Sequence, residues 1–499
     1  MFKRVLVANR GEIAVRIIRA CRTLGISPVA VYSEADAQSL HVRLADTAVL
    51  LGAPEPGESY LAIDKLIDAA KKTGCEAVHP GYGFLAERAA FARAVIEAGL
   101  TWIGPPPEAI DLLGDKVASR VTMAKAGIPV IPGFSSGEPD LEVFRAEAKK
   151  IGYPLLIKAA AGGGGKGMRI VQEPSAMEEA ISGAMREAQG AFGDSRVFLE
   201  KWVEQPRHVE FQIFADTHGE AIHLFERECS IQRRHQKVVE ETPSVALTPQ
   251  LRKEMGEAAV ATAKAAGYVN AGTVEFLLDK NGKFYFLEVN TRIQVEHPVT
   301  EEVVGVDLVA EQFRVTSGER LSWRQDELRQ RGHAIEARIY AEDPAAGFLP
   351  AAGPLLYLEE PRGPGIRVES GVIEGVGVPV HYDPIMAKVI AWGPDRLSAA
   401  RRLILALEHY VALGVPTTAS FLRDVLASEP FARGETQTDF IDRHFKNWSG
   451  GTEKDKQTAL IVAAVMSQQA KTGKIRTAQT AAIPTPWEIL GSWRIGGRQ

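Results

Sequence analysis

Along the first third of the chain, short apolar runs alternate with longer stretches whose apolar residues recur at helical spacing. RVLVA (4–8), PVAVY (28–32) and AVHPG (77–81) read as buried strands, and 12–24, 61–72 and 87–98 as the helices between them. Strands alternating with helices of this length predict a doubly wound parallel sheet. From about residue 114 to 316 the texture changes to short strands, among them PLLIKA, VFLEKWV, HVEFQIFAD, GTVEFLLD and KFYFLEVN, set between Gly-rich or charged loops. This part reads as α+β. A second strand-rich block, 332–445, holds GHAIEARIYAED, GIRVES and MAKVIAWG, then a helix over 396–410 and an apolar-periodic stretch around Phe421. No repeat at solenoid period and no heptad run occurs. The pattern predicts a multidomain chain, α/β then α+β, divided at 1–113, 114–330, 331–448 and 449–499.

Composition narrows the class. The chain has 499 residues, 45% hydrophobic and 24% charged, with Gly 46 and Pro 28, well short of a disordered or collagen-like composition. A net charge of −5 and a pI near 6.2 provide no global basic field for nucleic acid or an anionic membrane, so neither is an expected partner. Three widely spaced cysteines (Cys21, Cys75, Cys229) make neither a disulfide framework nor a zinc site. The longest apolar run, Ala459 to Met466, is far below the roughly 18 residues of a membrane span, and the amino terminus has only a four-residue apolar run. A soluble cytosolic protein is expected. The first strand-to-helix turn, Asn9-Arg10-Gly11-Glu12, lacks the G-x-G-x-x-G of a dinucleotide site.

Four segments carry chemistry. Gly162, Gly163, Gly164, Gly165, Lys166 and Gly167 form a cluster whose bare backbone can wrap an anion. Met168-Arg169 follows, so this is no Walker A loop; strands on either side make it the tip of a hairpin, either a flap over phosphates with Lys158 and Lys166 or a plain flexible loop. In HVEFQIFAD, His208, Glu210 and Gln212 share one strand face, a working side or an equally plausible solvated one. In LEVNTRIQVEH, Glu288, Asn290, Arg292, Gln294 and Glu296 fall at successive i+2 positions, so an extended segment lines one wall with five polar groups. Glu275, on the preceding strand, can lie beside Glu288; two carboxylates and an amide oxygen suit Mg²⁺, with nucleotide phosphates completing its shell. Finally, Arg233, Arg234, His235 and Lys237 crowd between acidic residues. Alone that run reads as a surface ion-pair network; beside a phosphate flap and metal site it is a candidate grip for ATP phosphates and an anionic co-substrate. Cys229 reads as incidental.

Together, ANRGEIAVRIIRA, HPGYGFLAE, GGGGKGM, RHVEFQIFAD, CSIQRRHQKVVEE and NTRIQVEHPVTE resemble biotin carboxylase, the ATP-grasp component of biotin-dependent carboxylases, from Phe2 to about Phe445. The resemblance implies a Rossmann-like first domain, an ATP-grasp domain with a mobile lid over 131–203, and a strand-rich C-terminal domain. It implies that Lys116 and Lys158 contact ATP, that 162–167 covers its phosphates, and that Glu200, Lys201 and Val203 belong to the adenine hinge. His208, Gln232, His235 and Lys237 would lie near ribose and phosphates. Glu275, Glu288 and Asn290 would hold Mg²⁺ or Mn²⁺, the two glutamates touching ATP through it. Lys237, Arg292, Gln294 and the Val295 amide would hold bicarbonate, Glu296 would be its general base, and Arg338, sharing a strand face with Glu336, would steady the biotin enolate. In the family's scheme carboxyphosphate breaks down to CO₂ and phosphate, the phosphate takes the N1′ proton of biotin, and the enolate captures CO₂.

None of the eight methionines is followed by Lys, so the Met-Lys-Met attachment motif is absent and biotin is expected in trans on a biotin carboxyl carrier protein. The family also implies a homodimer and a carboxyltransferase subunit; the helix with Arg16 and Arg19 matches the family's dimer interface, though ordinary surface charge explains two arginines equally well. The expected role is the first half-reaction of an acetyl-CoA or propionyl-CoA carboxylase. Alternatives are the biotin carboxylase chain of a two-subunit pyruvate carboxylase, a ligase making another acyl-phosphate, and a non-catalytic scaffold. Residues 450–499 carry seven basic and three acidic side chains, leaving −9 for the rest. Thr452 and Asp455 form a T-x-x-D capping pattern before an apolar run that Gly473 ends, which predicts a helix of about five turns. Trp487 and Trp493 beyond it predict a segment that packs on the chain's own body or on a partner.

Overall fold

The computed structural model describes residues 1–135, 141–160, 168–234, 236–451 and 457–465. The chain divides into two compact units, Met1–Trp448 and Ser449–Gln499. Among the described residues no helix is long and apolar enough to cross a membrane.

The first unit opens with a parallel five-stranded sheet: β1 (Arg4–Val7), β2 (Ser27–Ser33), β3 (Thr47–Gly52), β4 (Ala77–His79) and β5 (Thr101–Trp102), in the order β3-β2-β1-β4-β5. Val5, Leu6 and Val7 are buried without alternation because β1 is covered on both faces, which is why an unbroken apolar run marks it. The expected helices appear at Gly11–Thr23, Ile63–Lys72 and Ala89–Glu97. The sequence reading missed β3 and β5; β5 is two residues long, and β3 is an edge strand whose Leu50 is half exposed, so its apolar run signals little burial.

A four-stranded antiparallel sheet follows: β6 (Gly133–Ser135), β7 (Leu155–Ala159), β8 (Arg169–Val171) and β9 (Val197–Lys201), in the order β6-β9-β7-β8. β7 and β8 pair with Leu155 opposite Val171 and Ile157 opposite Arg169, so the expected hairpin forms. Its glycine tip, 162–167, lies outside the described residues.

The largest sheet has eight antiparallel strands. β10 (Arg207–Ala215), β11 (Ala221–Arg233), β12 (Gln236–Thr242), β13 (Asn270–Leu278), β14 (Phe284–Asn290) and β15 (His333–Tyr340) are joined by strands Ile366–Ser370 and Ile385–Gly393. The order is β14-β13-β10-β11-β12-β15, then Ile385–Gly393, then Ile366–Ser370 at the far edge. β12 pairs directly with β15, so one continuous sheet joins the central and C-terminal parts. The helix His297–Val304 follows β14 closely; Glu296 is its N-cap, a proline occupies its first turn, and Gly305 ends it at φ 78°, a left-handed conformation suited to glycine.

Arg16 is not a surface charge. It is 5% exposed, with its guanidinium 2.9 Å from Glu301 and 2.6 Å from Asp307, while Arg19 remains half exposed beside Glu369. All three cysteines are free and buried. In the second unit residues 457–465 are helical, with Leu460, Ile461, Val462 and Val465 exposed; the rest of the expected five-turn helix, Trp487 and Trp493 lie outside the described residues.

Candidate active site

Cross-strand register builds the site. Glu288 on β14 lies opposite Glu275 on β13, Glu275 opposite Glu210 on β10, and Glu210 opposite Arg227 on β11. Three carboxylates therefore stand in one row across adjacent strands, where side chains directly opposite are about 5 Å apart and like charges repel. The row is tolerable because cations reach it. The Lys237 ammonium, entering from β12, lies 2.5 Å from Glu210, 2.8 Å from Glu275 and 2.7 Å from Glu296. Arg227, fully buried, donates to Glu210 at 2.6 Å, Gln212 at 2.8 Å and Gln294 at 3.0 Å. His208 lies 2.9 Å from Glu275, and Gln232 donates to its Nδ1 at 2.9 Å. From His208 onward β10 is buried throughout, so its polar face looks into the site and not into solvent.

The i+2 pattern predicts an extended wall from Glu288 to Glu296, and the structure corrects this. β14 ends at Asn290, and the next six residues turn into the helix His297–Val304, so alternation stops and Ile293 and Gln294 are both buried. The polar groups converge all the same. Asn290 donates to Glu275 at 2.8 Å and Gln294 to the same oxygen at 3.1 Å, while Glu296, 1% exposed, meets Lys237 from one side and the Arg338 guanidinium, at 2.9 Å, from the other. Arg292 turns to Glu87 at 3.0 Å and donates to Asn290 Oδ1 at 3.0 Å. The Val295 carbonyl accepts from Lys388, a fully buried lysine 3.1 Å from Glu12.

The remaining expected residues fall at the margins. Lys116, in the first turn of the helix Lys116–Lys125 that Asp115 caps, is 3.2 Å from Glu288. Lys158 and Glu200 pair at 2.5 Å on β7 and β9, Lys201 donates to the carbonyls of Gly152 and Tyr153, and Val203 follows β9, partly exposed. His235, Lys166 and the glycines lie outside the described residues. The charge run divides: Arg233 pairs with Glu342 at 2.7 Å and packs over Phe348, Lys237 points into the centre, and Arg234 is exposed. The thiol of Cys229, read as incidental, is 4.0 Å from Glu296; burial raises its pKa well above the ordinary value and keeps it protonated.

Burial acts to protonate Glu296 and Glu275, but Lys237 outweighs it in both, with Arg338 and His208 respectively, and holds both carboxyls well below the usual range. Burial likewise opposes the charge on Lys237, and its three carboxylates overcome that and raise its pKa. The result is a dry ionised carboxylate gripped by two cations, next to a row of oxygen donors. Residues that sequence reasoning did not assign complete it: Arg227, Glu240 and Glu87. Glu87 lies within HPGYGFLAE, whereas Arg227 stands between Glu226 and Glu228 and Glu240 precedes Glu241, so local sequence does not single them out.

This fold and site define an ATP-grasp ligase of the biotin-dependent carboxylases. Residues 1–110 match the family description "Biotin carboxylase, N-terminal domain", 115–324 "Carbamoyl-phosphate synthase L chain, ATP binding domain", and 336–443 "Biotin carboxylase C-terminal domain". The chain belongs to the biotin carboxylase family. It is 52% identical to the pyruvate carboxylase A-subunit of Methanothermobacter thermautotrophicus over 444 residues, 89% of this chain and 90% of that one. To the mitochondrial methylcrotonoyl-CoA carboxylase alpha-subunit of rice it is 50% identical over 477 residues, which is 94% of this chain but 65% of the rice protein, so it spans under two thirds of that relative. Among solved structures, the biotin carboxylase domain dimer of Hydrogenobacter thermophilus 2-oxoglutarate carboxylase, in complex with MgADP, ADP and bicarbonate, matches with a TM-score of 0.87 and 46% identity, covering 91% of this chain and all of that one.

Proposed function

We propose that the protein carboxylates biotin on a separate carrier protein, using ATP and bicarbonate through carboxyphosphate, in the cytosol. The observation that carries this reading is Glu296: a buried carboxylate between Lys237 and Arg338, beside Arg292, Gln294 and Val295. Bicarbonate is a weak nucleophile; a positioned carboxylate that takes its proton contributes typically 10²–10⁴-fold. In this reading Glu296 is that base, Lys237, Arg292, Gln294 and the Val295 amide hold the anion, and Arg338 steadies the biotin enolate once Glu296 has given up its charge. Lys116, Lys158, Glu200, Lys201, Val203, His208, Gln232 and His235 hold the nucleotide under the 162–167 flap, and positioning in a water-excluded site does most of the work.

The oxygen donors of Glu275, Glu288 and Asn290, in register on two adjacent strands, fit a hard divalent cation. Bound there, Mg²⁺ or Mn²⁺ offsets charge on the transferring phosphoryl group. The likeness to a domain dimer supports a homodimer. We assign the activity to the first half-reaction of an acyl-CoA carboxylase, with a carboxyltransferase subunit choosing the acceptor; the match over 90% of the pyruvate carboxylase A-subunit favours pyruvate as the second reading. The four sequence segments serve as an N-terminal domain (1–113), an ATP-grasp domain (114–330) with its lid (131–203), a C-terminal domain (331–448) and a basic extension. Purified protein given ATP, Mg²⁺ and bicarbonate is expected to cleave ATP faster when free biotin is added. No stimulation by biotin overturns the reading.

A further inference from the structure

Arg338 serves two carboxylates, and only one of them has a role so far. Its Nε donates to Glu240 Oε1 at 2.6 Å, its Nη2 reaches the same oxygen at 2.5 Å, and that Nη2 also donates to Glu296 Oε2 at 2.9 Å. Glu240 is completely buried and sits on β12 opposite Glu336 of β15, also completely buried. Glu240 Oε2 and both Glu336 oxygens have no hydrogen-bond partner among the described residues. Burying unpaired carboxylate oxygens is costly, and a site that keeps two such groups beside one arginine needs a reason beyond packing.

The chemistry of Glu296 supplies one. When a base takes a proton it loses its charge, and Arg338 then loses one of its two anionic partners while it is needed at the substrate. A second carboxylate on the opposite side keeps the guanidinium where it is. We propose that Glu240 is a positioning residue for this reaction, the anion that retains Arg338 at the site while Glu296 is protonated. The inference rests on the function proposed above.

The surroundings make the retention responsive. Facing Glu240 are Cys229 from β11, Lys237 from its own strand, Glu336, Arg338 and Tyr340 from β15, and Glu296. Burial pushes the Glu240 carboxyl up to about 7; Arg338 opposes this, while the negative charge of Glu296 adds to it. Neutralising Glu296 removes that repulsion, so Glu240 becomes a firmer anion at the moment Arg338 depends on it. Burial pushes the Glu336 carboxyl well above the usual range, and neither of its oxygens hydrogen-bonds the guanidinium among the described residues. Because the raised Glu240 carboxyl loses its charge as pH falls through about 7, turnover falls on the acid side.

The test is Glu240→Gln, which keeps shape and an acceptor oxygen but removes the charge, alongside Glu240→Asp. Biotin-dependent ATP cleavage is measured from pH 6 to 9, with circular dichroism melts as a folding control. Expected for Glu240→Gln is a roughly 10- to 100-fold lower kcat, the scale of one charge-assisted hydrogen bond, with KM for ATP within twofold and the acid limb near pH 7 gone. Glu240→Asp is expected to recover part of kcat and keep an acid limb. If wild type is biotin-stimulated and Glu240→Gln matches it in kcat and pH profile, the proposal fails. It fails equally if Gln and Asp variants are impaired alike, because then keeping the charge gives no rescue; should the Gln variant not fold, an Asp variant without an acid limb decides against it. A wild type without biotin stimulation refutes the underlying function instead.

Discussion

At the β14 edge of the large sheet, Glu288 keeps 34% of its side chain exposed and faces Lys116 across 3.2 Å. Further along the same sheet, Glu240 and Glu336 have no solvent at all, and of the two only Glu240 is hydrogen-bonded to the Arg338 guanidinium among the described residues. Water screens the edge, so a charge there costs little and is available to a cation. In the interior each added negative charge must find a counter-ion, and where none is left the carboxyl keeps its proton. Glu296 lies between these regimes: it is as buried as Glu336, whose carboxyl burial pushes well above the usual range, yet two cations converge on it and hold it well below that range.

The sharpest way to break this contrast is at Glu296 and Arg338. Glu296→Ala and Arg338→Ala are each expected to lower biotin-dependent turnover at least about a thousandfold, ~4 kcal/mol of transition-state stabilisation, while nucleotide binding persists. Near-wild-type turnover in either variant removes the role assigned to that residue. Next is Lys237→Met, which strands three buried carboxylates. It is expected to cost about 3–5 kcal/mol of unfolding free energy in urea titration, and an unchanged midpoint would mean that the row is neutralised some other way.

A third measurement uses pH. Burial favours protonating Glu241, but hydrogen bonding from His333 and the charge of Arg396 outweigh it and bring its carboxyl down to about 2. A depressed carboxyl stabilises the fold above pH 4.5, and that stability is lost as pH falls towards 2, on the order of 3 kcal/mol. Glu241→Gln is expected to flatten the loss over that range; an unaltered acid slope places it elsewhere. The smallest effect on stability is expected at the sheet edge. Glu288→Gln is expected to shift unfolding by under ~0.5 kcal/mol and to weaken nucleotide binding several-fold only when Mg²⁺ is present. Equal weakening with and without the metal argues against a cation at Glu288.

Much of this was legible before any coordinate. The alternation GTVEFLLD and KFYFLEVN placed Glu275 beside Glu288, and the two are indeed directly opposite, just before a shift in register. The strands around GGGGKG pair as a hairpin. Less legible was the path from Asn290 to Glu296, because a turn and an alternating strand carry the same i+2 spacing and only the chain's change of direction separates them. The sequence left Arg16 between a dimer-interface residue and an ordinary surface charge, because its partners Glu301 and Asp307 are some 290 residues away.

Periodicity and residue type determined by themselves the alternation of the main strands and helices and the chemical kind of the site, because side-chain spacing along a strand is a local property. Only the tertiary structure decided which carboxylates carry charge. Glu210, Glu240, Glu275, Glu296 and Glu336 are the same residue in sequence, and what separates them is their distance from Lys237, Arg227 and Arg338 and the exclusion of water, neither of which any local pattern records.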